Sequence, residues 1–202
     1  MNPARSQFLA EPEIVVVPYD DGWPDDFANL GSSLRDSLGD RAIRIDHIGS
    51  TSVPGLAAKD RIDIQLTVDD LDAEVLRPVM ESAGFEWIAH ITTDHSPAGL
   101  DLDPDDLGKF LTRSGPTIRA ANCHIRQRGR YNQRYPLLNR DYLRAVPEAA
   151  RTYEQIKLTL AGWFPDDAES YYDIKDPVFD LIMLGAERWA ATTRWQPGPS
   201  DA

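Results

Sequence analysis

The clearest pattern in the chain is the alternation over residues 61–68. Ile62, Ile64, Leu66 and Val68 interleave with Asp63, Gln65 and Thr67. A period of two predicts a strand with one buried face. Ile43 and Ile45 mark a second strand over 42–48, and Ile14 to Val17 a short one ended by Pro18. Helical spacing takes over where apolar residues recur every three or four positions. Phe27, Leu30, Leu34 and Leu38 predict a helix opened by Pro24 and stopped by Gly39. Leu71, Val75, Leu76, Val79 and Met80 predict another, ended by Gly84 and bent at Pro78. A strand is expected over 85–91, and a hairpin pairs 109–112 with 117–126 across Ser114-Gly115-Pro116. Beyond Tyr131 the pattern is helical: 137–146, then 147–163 with Pro147 in its first turn, then 167–191 with Pro177 inside.

These elements divide the chain into an N-terminal arm (1–12), a mixed α/β core (13–128), a helical part packed on it (129–193) and a disordered tail (194–202). The fold class expected is α+β, a mixed sheet with flanking helices followed by a helical subdomain.

Composition narrows the function. The 33 acidic and 21 basic residues among 202 leave a net charge of −12, which argues against coating nucleic acid. The single cysteine, Cys123, excludes an intrachain disulfide framework. The apolar runs are too short to cross a bilayer, and the first residues have no signal-like core, so a cytoplasmic protein without a membrane partner is expected. Charge is uneven, however. Between Lys109 and Arg144 stand nine basic residues and one acid, Asp141. Such a block reads either as an anion site or as a solvated face paired with acids from elsewhere. An acidic loop, with Asp94, Asp101, Asp103, Asp105 and Asp106, supplies the opposite sign.

The chemistry concentrates in His47-Ile48-Gly49-Ser50-Thr51-Ser52-Val53-Pro54-Gly55-Leu56-Ala57-Ala58-Lys59 and the Ile62-Asp63-Ile64 that follows. Gly49 lets backbone approach a ligand closely, and Ser50 offers a hydroxyl and an N–H to phosphate. Asp63 is a carboxylate on a rigid strand, the kind of group that holds Mg²⁺ beside a phosphate. The Gly spacing is not that of a Walker-type loop. On the hairpin strand Asn122, His124 and Arg126 share a face, with His124 a general base, a ligand for a softer metal or a structural residue. The chain has only four lysines, and two end the near-identical strings Tyr153-x3-Lys157 and Tyr171-x3-Lys175. Tyr and Lys at this spacing lie on one helix face, where a compact ammonium can meet a phosphate tail.

The Gly-Ser turn followed by an acidic strand resembles the nucleotidyltransferase fold of the DNA polymerase β superfamily. The longer string, with Arg140-Asp141-Tyr142-Leu143-Arg144 and the two Tyr-x3-Lys helices, resembles the GrpB-like family over about Val15 to Trp189. Domains of this kind occur fused to bacterial dephospho-coenzyme A kinase. The resemblance implies a small phosphorylated ligand such as a nucleoside triphosphate, with Mg²⁺, and transfer of a nucleotidyl group to a small acceptor. Asp63, with His124 compensating for the position held by Gln65, is expected to be catalytic, and Asp63 and Gln65 are expected at the metal. Gly49, Ser50, Thr51, Lys59, Arg126, Arg144, Tyr153, Lys157, Tyr171 and Lys175 fall to the ligand. Active superfamily members carry a second carboxylate where this chain has Gln65. The alternative is therefore a non-catalytic module that binds a nucleotide or a coenzyme A-like anion and assists a partner enzyme.

Overall fold

A computed structural model describes residues 13–202; the expected N-terminal arm, 1–12, and the leader region lie outside them. Five strands form one mixed sheet: β1 (Arg44–Ile48), β2 (Ile62–Val68), β3 (Phe85–Trp87), β4 (Lys109–Ser114) and β5 (Ala121–Gln127). Their order is β1-β2-β5-β4-β3, and only β2 and β5 run parallel. Two helices, α1 (Trp23–Leu38) and α2 (Ala73–Ser82), accompany the sheet, followed by α3 (Tyr131–Ala145), α4 (Pro147–Trp163) and α5 (Ala168–Thr193). The expected α+β class is the one observed. The expected strand at 14–17 is reduced to a single bridge, Val17 to Ala58. The strand expected over 85–91 stops at Trp87, before the long loop to β4.

The two faces of the sheet have different jobs. Ile62, Ile64, Leu66 and Val68 of β2 pack with Ala121, Cys123 and Ile125 of β5 against Trp23, Phe27, Leu34, Leu76 and Met80 of α1 and α2. This is the main core, and each large apolar side chain buried there contributes about 1.5–3 kcal/mol. Alternation then puts Asp63 and Gln65 on the opposite face, beside their partners Asn122 and His124. Asp72 starts α2 by accepting from the N–H groups of Glu74 and Val75.

Of the two readings of the basic block the paired face is the one observed, and the tail departs from expectation. The basic block does not form an arginine cradle for anions. Arg119 pairs with Asp26 and Asp60, Arg128 with Asp69, Arg130 with Asp106, Arg134 with Glu187 and Arg140 with Asp141 and Asp201. Acids from distant parts of the chain neutralise it, as in the paired-face reading. The acidic loop is likewise occupied, since Asp103 caps the short 3₁₀ turn at Pro104–Asp106. The tail is not disordered either. Residues 198–202 run along the free edge of β1: Asp201 and Ala202 donate to Ile45 O, and Ile45 N donates to Ser200 Oγ. The Asp201 carboxylate accepts from His47 N at 2.9 Å and from Arg140 Nη1 at 2.6 Å. Ala202 fits closely against α1, where a Cβ on Gly31 would come within 2.7 Å of the Ala202 methyl.

Candidate active site

The cavity opens beyond the polar face of the sheet, under α3, α4 and α5, with a volume of about 1220 Å³. Its floor begins where β1 ends. Gly49 has φ +71°, and a Cβ there would stand 2.5 Å from Asp63 Oδ2. Glycine is thus needed twice, for the backbone conformation and for the approach of the turn to the carboxylate. The 3₁₀ turn Ser50–Ser52 follows, tied by Ser52 Oγ donating to Gly49 O at 2.6 Å. Arg144 supports it from α3, its Nε and Nη2 donating to Ser52 O at 2.9 and 2.7 Å.

Asp63 accepts from Asn122 Nδ2 at 3.0 Å and has His124 Nε2 at 3.9 Å. Burial alone would raise its pKa; the His124 and Asn122 contacts and the Lys59 charge outweigh it and hold the carboxyl below its ordinary range. His124 is pushed down to about 4, by burial first and by Arg126 and Lys109 after it, against the pull of Asp63. At neutral pH the pair is a carboxylate beside a neutral imidazole. The opposite wall is lysine. Lys157, at 3 % exposure, donates to Ala57 O and lies over the Tyr153 ring. Glu154, one turn earlier on α4, accepts from Ala57 N, so this helix grips both ends of one residue in the loop. Burial, with Lys175 second, lowers the Lys157 amine to about 7, although Glu154 pulls upward. Lys59 donates to the Tyr172 hydroxyl. Lys175 reaches over the Tyr172 and Phe179 rings and pairs with Asp176. Tyr153 of α4 and Ser50 of the turn border the same cavity.

Gly49, Ser50, Thr51, Lys59, Asp63, His124, Arg126, Tyr153, Lys157, Tyr171 and Lys175 therefore border one cavity. Three assignments need correction. Arg126 is committed to Asp94 through Nε at 2.8 Å and Nη2 at 3.1 Å, and gives Nη1 to Gln65 Oε1 at 2.9 Å. It organises the floor and is not available to a phosphate. Gln65 is fully buried, accepts that bond and donates to Gln133 O at 2.9 Å, so its oxygen is no metal ligand. Arg144 does not border the cavity; it holds the turn from behind. His47 sits on the core side, stacked on Phe27 at 4.7 Å and bonded to Thr51 Oγ1, a brace for the turn. The sequence reading passed over Tyr172, Asn132, Tyr135 and Asn139, which also border the cavity. The spacing of Asn132, Tyr135 and Asn139 at i, i+3 and i+7 was the available signal for the three on α3.

β2 brings Asp63 alone to the cavity, and no group of three His, Cys, Asp or Glu side chains suited to a metal exists among the described residues. The residues present do not fit a pair of magnesium ions.

The family model described as GrpB protein matches residues 13–184. A dephospho-CoA kinase of Mycolicibacterium paratuberculosis is 34% identical over 203 residues, covering 94% of this chain and 50% of the relative. The UPF0157 protein PA4798 of Pseudomonas aeruginosa is 32% identical over 177 residues, covering 84% of this chain and 66% of the relative. The chain spans about half the length of the mycobacterial relatives it matches. Among solved structures, the conserved protein GrpB from Enterococcus faecalis superposes with a TM-score of 0.70 at 31% identity, over 87% of this chain and 99% of that one.

Proposed function

The chain belongs to the GrpB protein family, and from that premise we propose that its cavity binds a nucleoside triphosphate or a related phosphorylated small molecule. The observation that carries this reading is the convergence of Lys59, Lys157 and Lys175 on the cavity that also holds the Ser50 turn and Asp63. Lys157 and Lys175 repel one another, and burial makes the Lys157 charge costly; a polyanion between them relieves both penalties. The donor set favours binding without a metal. A role in assisting a partner enzyme is in keeping with the name of the mycobacterial relatives, whose length this chain half covers.

The test is calorimetric titration with ATP and with inorganic tripolyphosphate, with and without Mg²⁺. Binding in EDTA is expected, weakened at least tenfold in Lys175→Met. Because the Lys157 amine loses its proton near pH 7, wild-type affinity is expected to fall by up to about tenfold per pH unit above 7, with proton uptake on binding. Lys157→Met should be weak and nearly flat with pH. Equal affinity of the wild type and both variants would refute the reading.

One observation favours a catalytic second reading: the ionised Asp63 beside the neutral His124, a pair suited to taking a proton from an acceptor hydroxyl. Nucleotidyl transfer would then join the acceptor oxygen to the α-phosphorus of a nucleoside triphosphate and release pyrophosphate, moving α-phosphate label to a small-molecule pool. Label no greater with wild type than with Asp63→Ala would exclude it for the acceptors tried.

A further inference from the structure

The cavity has a second wall of opposite character. Tyr131 and Tyr135 on α3 stand with ring centroids 5.9 Å apart, and His95 from the β3–β4 loop meets Tyr135 edge-on at 6.3 Å. All three border the cavity. Asp180 of α5 fixes two of these rings, accepting from Tyr135 Oη at 2.9 Å and lying 3.1 Å from His95 Nε2. The charges acting on the two phenols are mostly negative. After burial itself, Asp180 and Asp176 raise the Tyr135 pKa, and Glu187 and Asp180 raise that of Tyr131, with Arg134 opposing there. Arg134 is itself tied to Glu187. Beside Tyr131, Asn132 is 4 % exposed; its amide nitrogen donates to Asp94 Oδ2 and Gly108 O, and its Oδ1 has no partner. A buried acceptor without a donor is a standing cost that a ligand N–H can remove.

We propose that this wall is a second ligand station, which takes an organic cation with N–H donors, a protonated amine, between Tyr131, Tyr135 and His95. Ring faces and a nearby carboxylate attract a cation, and Asn132, on the lining of the same cavity, has an acceptor that a small turn of its side chain would offer to an N–H. The proposal rests on the reading above only in that the two ligands share the cavity; the lysine wall takes the anion and the tyrosine wall the cation. A cationic substrate would thus lie in the same chamber as the phosphorylated one. The carboxylates responsible are those of α5: Asp176 borders the cavity, and Asp180 lies behind the rings of Tyr135 and His95 that it holds.

Ligand-observed NMR on the full chain at 0.15 M salt tests this, with putrescine as the amine and choline as a cation that has no N–H at nitrogen. Putrescine is expected to bind, with a dissociation constant at least tenfold higher in Tyr135→Ala and at least fivefold higher in Asp180→Asn. Tyr135→Phe, which keeps the ring, should change it by no more than twofold. Glu81→Gln removes one charge from α2, outside this wall, and should leave it unchanged. Choline should bind more weakly than putrescine. No putrescine binding to the wild type, or wild-type affinity in Tyr135→Ala and Asp180→Asn, would overturn the station. So would equal losses in Asp180→Asn and Glu81→Gln, which would mark bulk charge. Choline binding as tight as putrescine would overturn the requirement for N–H. Loss of the tripolyphosphate interaction alone would sink the lysine-wall reading and leave this one standing.

Discussion

Gly49 shows how closely one position can be constrained. Its backbone lies in the left-handed region, and any side chain would collide with Asp63. Gly49→Ala is expected to cost about 2–4 kcal/mol, read as a fall in melting temperature of about 5–12 °C, and to weaken anion binding by displacing the turn. Unchanged stability would mean that the turn can relax without it. The glycine, the serine after it and the aspartate were all legible in the sequence, because a turn residue ends one strand and a strict alternation fixes the face of the next. What could not be read were the partners. Arg126 looked like a phosphate ligand because nothing in its own strand reveals that Asp94, 32 residues away, would lock its guanidinium. Gln65 and Arg144 were misread for the same reason: their partners are the backbone oxygens of Gln133 and Ser52.

At the scale of elements, the helices were legible to within a few residues because their apolar spacing is regular. One exception is α3, which begins at Tyr131 and not Leu137; its first two turns face the cavity and so carry polar and aromatic residues instead of an apolar stripe. The other exception is the segment at 198–202. Its Pro and Gly content suggested disorder, yet it is held by β1, whose edge would otherwise present unpaired backbone groups. Asp201 is the central tie, because it also meets the buried Arg140. Asp201→Ala leaves Arg140 with Asp141 and His47 O, so a modest loss of about 1–2 kcal/mol is expected, checked by urea midpoints. Hydrogen exchange at Ile45 and His47 should quicken more than at Ile64, which sits in the sheet interior. Equal protection at all three would show that the segment contributes nothing to the edge.

Over the whole molecule, burial of two histidines on opposite sides of the sheet sets the response to acid. His47 and His124 are each held near 4, chiefly by burial, against about 6.5 in the unfolded chain. Between those values the unfolded chain binds protons that the folded one refuses, so stability falls as pH drops from about 6.5 to about 4 and is at its full value above that window. The expected loss is about 2–3 kcal/mol for each at the lower end. Urea unfolding at pH 7 and pH 4.5 would show it, and His124→Gln should remove roughly half the difference. A variant with the wild-type pH profile would place the effect elsewhere. The uneven use of basic residues has a last consequence. All four lysines, Lys59, Lys109, Lys157 and Lys175, border the central chamber, while the outer shell uses arginine. An acylating reagent, or an acetyl donor in a cell, would therefore mark the interior of this protein and, apart from the α-amino group, leave its exterior bare.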